Sequence, residues 1–280
     1  MSYKTLVALV DNGAPRAQRL EVAFELAGRH DAHLVGLYAP GPPVIPSSAL
    51  AEIGPAAMEA ISRNRNRATE AARELFREAS ARHPAIKCEW RVSHGDAIAA
   101  ACLSARYADL VIAGQPQFRD EGATGLPPAY AADLVLSAGR PVLFVPYAGR
   151  FPAIGKRVLV AWNASPEAAR AVTDAIPMLK GAAEVEVVAF DPDGFAAHHG
   201  EVPGADIALF LARHGVKVTV SQQAGAGMEV GLQLLSRAAD RGSDLIVMGG
   251  YGHSRLREWV LGGATRTLLE TMTVPVLMSH

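Results

Sequence analysis

The 280-residue chain carries 27 Lys and Arg against 28 Asp and Glu, a formal net charge of −1. Near-neutrality without a basic block argues against an electrostatic nucleic-acid groove, and no apolar run reaches membrane-spanning length. The N-terminus shows no signal-peptide pattern, so a soluble cytoplasmic protein is expected, with its two cysteines, Cys88 and Cys102, reduced and structural.

In chain order, short Val, Leu and Ile runs alternate with Ala-, Leu-, Glu- and Arg-rich helical stretches. The first half predicts strands near 4–10, 32–39, 86–92, 109–113 and 141–145, and helices near 15–29, 55–82, 96–106 and 127–138. The second half predicts strands near 157–162, 184–190, 216–220, 244–248 and 275–278. Its helices are expected near 166–179, 203–213, 227–241 and 254–271, the last interrupted around Gly262-Gly263. Strands apolar on both faces between helices are the mark of parallel sheets covered on both sides.

The chain repeats itself. Thr5–Val10 followed by a helix matches Arg157–Trp162 followed by a helix, and Tyr107–Gly114 matches Gly242–Gly249. Arg140-Pro-Val-Leu-Phe-Val145 matches Val274-Pro-Val-Leu-Met278. Matched elements in the same order predict two similar α/β domains, each an open parallel sheet with helices on both faces, spanning 1–148 and 155–280. Pro146 to Gly155 holds the boundary.

Asp244 to Thr267 carries the chemistry. A buried strand runs into glycines 249, 252, 262 and 263, whose backbone amides can approach phosphate oxygens closely. Each glycine also has a plainer role: Gly249 ends a strand, Gly252 permits a turn, and Gly262-Gly263 breaks a helix. Ser165 and Pro166 read first as a helix cap and first turn. Arg63, Arg65 and Arg67 read as the solvated entry to a long helix. His198 and His199, being adjacent, do not establish a metal site. Trp90, Trp162 and Trp259 fall in separate elements and make no nucleic-acid stacking platform.

With these residues in view, the chain resembles a tandem universal stress protein over nearly its whole length. Gly249-x-x-Gly252, nine residues, then Gly262 looks like the phosphate loop of that family's ATP-binding branch. No Walker loop is present, and neither half supplies a dinucleotide fingerprint after its first strand. The resemblance implies an adenine nucleotide across the strand ends: Ala161 and Asn163 near base, ribose and phosphate, Val187 and Val188 near the base pocket, and Gly249, Gly252, Gly262 and Gly263 under the phosphates. His253 would add charge when protonated. It implies ATP as ligand and allows Mg²⁺, although Asn163 stands where the family usually has aspartate and so offers no anionic ligand. Gly263 stands where a Ser or Thr is usual.

In the first half Gln115-Pro116-Gln117 replaces the glycine spacing, so that site is expected to be degenerate. The resemblance also implies pairing of the two domains through their terminal strands and leaves a homodimer of tandem chains open. No clear general base is aligned with the phosphate cradle; His253 is the nearest acid–base candidate, and a histidine beside phosphate can serve as charge alone. The leading functional reading is therefore a nucleotide-responsive regulatory or protective protein, acting through an unidentified protein partner, without efficient catalysis. The alternatives are a slow Mg-dependent ATPase or phosphotransferase, and a nucleotide-free stress-associated interaction protein.

Overall fold

The computed structural model describes residues 2–13, 16–41, 54–116, 130–190, 204–223, 229–251 and 263–280. The first half contains β1 (Thr5–Val10), α1 (Arg16–His30), β2 (His33–Tyr38), α2 (Pro55–Arg82), β3 (Cys88–Val92), α3 (Ala97–Ala105), β4 (Leu110–Gly114), α4 (Tyr130–Ser137) and β5 (Val142–Val145). The second contains β6 (Arg157–Trp162), α5 (Pro166–Leu179), β7 (Glu184–Phe190), α6 (Ala205–Arg213), β8 (Val218–Gln223), α7 (Val230–Arg241), β9 (Leu245–Gly249), α8 (Gly263–Thr271) and β10 (Val276–Ser279).

Among the described residues, all the strands join one ten-stranded sheet in the order β3-β2-β1-β4-β5-β10-β9-β6-β7-β8. Pairing is parallel within each half, and the halves meet through the antiparallel pair β5·β10. Strand order reverses between β1 and β4 and again between β6 and β9. Such reversals, at the carboxyl ends of the strands, are where α/β sheets take ligands.

The period of two along each strand splits the core into two layers. Leu6, Ala8, Val10, Val158, Val160 and Leu277 pack with α1, α2, α5 and α6 on one face. Val7, Leu9, Leu159, Ile246, Val276 and Met278 pack with α3, α4, α7 and α8 on the other. Helix α1 shows how the sequence sets this up: Leu20, Ala23, Phe24 and Ala27 are buried at helical spacing while Glu21 and Glu25 face outward.

The strand expected at 216–220 lies instead at Val218–Gln223. Helix α6 ends through Gly215, at φ +80°, and the Val216 amide donates back to the Leu211 carbonyl. Val216 is buried as part of that helix end, so its apolar character belongs to the cap and not to the strand. Of the last helix expected, 263–271 is present and 254–262 lies outside the described residues. Among the described residues, no helix is long and apolar enough to cross a membrane.

Candidate functional site

The strand ends of β6 and β9 are shaped by local chemistry at three chain segments. Asn163 follows β6, and its Oδ1 accepts the Ser165 amide at 3.1 Å. That short turn carries Ala164 at φ +57°, a left-handed conformation that costs a non-glycine residue energy. Ser165 then caps α5, its Oγ accepting the Ala168 amide at 3.2 Å, and Pro166 fits the first turn. The sequence reading of Ser165 as a helix cap is what the geometry shows.

Gly249 ends β9 directly against this helix start. A Cβ at that position would sit 2.6 Å from the Ala168 nitrogen and 2.7 Å from the Glu167 carbonyl carbon, both backbone atoms that cannot yield. Glycine is therefore required for close approach of strand end and helix, independently of any ligand. Gly250 continues the line, its amide donating to the Ser279 carbonyl at 2.9 Å. Tyr251 follows at φ +59°, its hydroxyl shielded from solvent and, among the described residues, without a hydrogen-bond partner. Burial, aided by Asp133 of the first half, raises its pKa.

The other residues expected at the site divide by layer. Ala161 and Val188 border the same core as Tyr251, on the side of α7 and α8. Val187 is fully buried on the opposite face. Since neighbouring strand residues point to opposite sides, Val187 and Val188 do not share one pocket wall. Gly263 opens α8. Gly252, His253 and Gly262 lie outside the described residues, as do His198 and His199. Among the described residues, no three His, Cys, Asp or Glu side chains gather into a potential metal cluster.

The equivalent place in the first half is built from different chemistry. Equating Thr5 with Arg157, as the strands align, makes Asp11 the counterpart of Asn163 and Arg19 the counterpart of Ala171. The Arg19 guanidinium grips Asp11 with two bonds of 2.6 and 2.9 Å and donates to the Leu9 carbonyl at 2.8 Å. Both side chains are almost entirely buried. Burial opposes the charge on Arg19, but contact with Asp11 outweighs it and holds the pKa above its ordinary value. The guanidinium lies on Gly114, where a Cβ would be 2.9 Å from Cζ, and the Tyr130 hydroxyl donates to the Gly114 carbonyl. A small cleft remains beside this pair, bounded by Leu9, Asp11, Leu37, Ala39, Ile98 and Tyr130.

Gln115 stands where the second half has Gly250 and has an architectural role. Its Nε2 donates to the Leu269 and Glu270 carbonyls of α8 at 2.9 and 3.2 Å, while its Oε1 accepts the Tyr147 amide at 3.1 Å. The side chain is buried and bridges the two halves.

Two further residues escaped notice as individuals although they lie in the repeated segments. Asp109 accepts the Lys4 and Thr5 amides at 2.6 and 3.0 Å. Asp244 accepts those of Gly155, Lys156 and Arg157 at 2.8 to 3.2 Å. Each carboxylate anchors the start of the first strand of its half. The signal was present as Ala-Asp-Leu and Ser-Asp-Leu at matching places in the repeat.

Residues 155–280 match the model of the universal stress protein family. The second half of the chain is a universal stress protein domain. A universal stress protein from Archaeoglobus fulgidus DSM 4304 resembles the whole chain, with a TM-score of 0.72 at 16% identity, over 98% of this chain and 95% of that one. A putative universal stress protein from Pseudomonas aeruginosa UCBPP-PA14 gives a TM-score of 0.57 at 16% identity, over 99% and 93%. A functionally unknown protein from Pseudomonas aeruginosa PAO1 gives 0.62 at 14% identity, over 99% and 92%. At these identities the likeness is one of fold. It extends the universal stress protein architecture over both halves. Comparison with curated protein sequences gives no match.

Proposed function

We propose that this chain binds an adenine nucleotide, ATP foremost, at the strand ends of its universal stress protein domain, and that occupancy regulates contacts with a protein partner. The observation carrying this reading is the contrast between the two clefts. In the first half, the Asp11–Arg19 ion pair fills the strand end and covers Gly114. In the second, the corresponding pair is Asn163 and Ala171, and among the described residues no side-chain ion pair takes that place. The nucleotide would lie along Ala161, Val188 and the glycine segment, with its phosphates on backbone amides from Gly249 to Gly263.

Asn163 already spends its carbonyl oxygen on the Ser165 amide, which leaves Nδ2 as a donor toward ribose or phosphate. A neutral amide supplies no charge to a metal, so Mg²⁺ would arrive as part of the nucleotide complex. Val187 has no direct role in this arrangement because it faces the opposite core.

The test is a calorimetric titration of the nucleotide-free chain with ATP and Mg²⁺, repeated on Gly252→Arg. Saturable binding near one ATP per chain, lost in the variant, supports the reading. A folded wild-type chain that takes up no ATP would overturn it, leaving the glycine segment with the close-packing role that Gly249 already has.

A further inference from the structure

The ten-stranded sheet ends on β3, and among the described residues no strand pairs with its outer side. The hydrogen bonds to β2 fix which backbone groups are left over. The Leu34 amide donates to the Lys87 carbonyl and the Ser93 amide to the Tyr38 carbonyl, both at 2.9 Å. Alternate residues of a parallel strand send both backbone groups to the same neighbour, so Lys87, Glu89, Arg91 and Ser93 face β2. Cys88, Trp90 and Val92 therefore direct their amides and carbonyls outward. An open edge of this kind is a template for another strand.

The side chains of β3 alternate between two different surfaces. Cys88, Trp90 and Val92 pack against the α1–α2 layer, with the Trp90 ring 5.3 Å from that of Phe76 and 6.2 Å from that of Tyr38. All three are only partly buried. Glu89 and Arg91 stand on the other face, where they reach solvent and pair with each other. His33 of β2 also lies near Glu89, at 3.6 Å.

Like charges on an edge strand repel a second copy. The order Glu89-Trp90-Arg91 has the reverse effect. An antiparallel pair centred on Trp90 sets Glu89 across from Arg91 of the second copy, and Arg91 across from its Glu89, with Cβ atoms about 4.5–5.5 Å apart. Each charge keeps its neighbour along its own strand and gains an opposite charge across the junction. On the other face Trp90 meets its own copy and Cys88 meets Val92. The outward backbone groups of these three residues are the ones that come together in this register. Registers centred on Glu89 or on Arg91 place identical charges directly opposite, which is unfavourable.

The far edge of the sheet lacks this arrangement. Strand registers make Thr219, Val220 and Ser221 of β8 the counterparts of Glu89, Trp90 and Arg91. Val218–Gln223 carries no charge with which to select a register. Pairing β3 with β8 of the next chain would leave a free edge at each end and grow into a filament, whereas β3 with β3 closes at two.

We propose that β3 is the edge through which two copies of this chain associate, antiparallel about Trp90, joining their sheets into one. This association is independent of the nucleotide reading for the second half.

Sedimentation velocity of the full chain over a concentration series up to about 1 mM tests it. A monomer–dimer equilibrium without larger species is expected. Glu89→Arg and Arg91→Glu each set like charges across the junction and should weaken dimerisation by about tenfold or more. Mixed in equal amounts, the two variants again face each other with opposite charges and should recover the dimer. Glu89→Arg combined with Arg91→Glu in one chain should also dimerise, which reads the edge even where a single change disturbs folding. A wild type that stays monomeric throughout the series overturns the proposal. So do species that grow beyond two chains, a dimer indifferent to both single changes, or single variants whose mixture stays monomeric.

Discussion

Leu143 and Leu277 sit directly opposite one another where β5 and β10 run antiparallel, and they occupy the same place in their respective Pro-Val-Leu segments. The flanking pairs, Phe144 with Val276 and Val142 with Met278, are related by the same local two-fold relationship. A chain with two copies of one domain has thereby joined them as identical subunits join in an isologous dimer. Both leucines are fully buried in the same layer, so the junction is part of the core.

This pairing makes the stabilities of the two halves interdependent. Leu143→Ala and Leu277→Ala should each cost about 2–5 kcal/mol, the usual range for a leucine truncated in a packed core. Because the residues are neighbours, the double variant should depart from the sum of the singles by about 0.5–3 kcal/mol. Urea denaturation of the four members of the cycle measures both quantities. Strict additivity would mean that the two leucines are not energetically coupled across the junction.

The strand anchors give a second prediction. Asp244 accepts three backbone amides and Asp109 accepts two, all at strand starts. Asp244→Ala should lower the unfolding free energy by about 1–3 kcal/mol, because backbone donors lose a charge-assisted partner. Asp109→Ala should cost less. Equilibrium denaturation distinguishes this order from the reverse.

Much of the fold was legible because its strands are apolar on both sides and its repeat is long. Leu110–Gly114 and Leu245–Gly249 announced themselves as buried strands, and the two Pro-Val-Leu segments as the last strand of each half, while their pairing was implied by the family resemblance. What could not be read was contact across sequence distance. Arg19 looks like any helical arginine until the fold places Asp11 beside it. Glu186 interrupts an apolar strand and looks exposed, yet it is buried because Arg237, 2.5 Å away, and Ser221 neutralise and bond it. At the candidate site, the glycine spacing was visible, but the packing duty of Gly249 was not. Its neighbour, the first turn of α5, is remote in sequence.

The buried Asp11–Arg19 pair predicts a characteristic asymmetry. Arg19→Met leaves a buried carboxylate without its partner and should destabilise the chain by about 3–5 kcal/mol. Asp11→Asn combined with Arg19→Met removes both charges and should recover a substantial part of that loss. Chemical denaturation of the single and double variants reads the difference directly. A double variant less stable than Arg19→Met alone would show that the methionine, and not the orphaned charge, caused the damage.

His30 predicts the response of the fold to acid. It is 8% exposed at the end of α1, packed edge-on against Tyr3 with ring centroids 4.8 Å apart, and its Nε2 is buried without a partner among the described residues. Burial, reinforced by Arg29 and Lys4, lowers its pKa from 6.5 to about 4. The folded chain therefore resists protonation over a range in which the unfolded chain accepts it. Stability from this group is complete above about pH 6.5, is lost progressively as pH falls towards about 4, and levels off below that value. The whole loss amounts to about 3.5 kcal/mol at most, at about 1.4 kcal/mol per pH unit of displacement. His30→Phe removes the titrating group while keeping a ring against Tyr3. Its melting temperature should fall less steeply than that of the wild type between these pH values. Parallel profiles for the two proteins would assign the acid sensitivity to other groups.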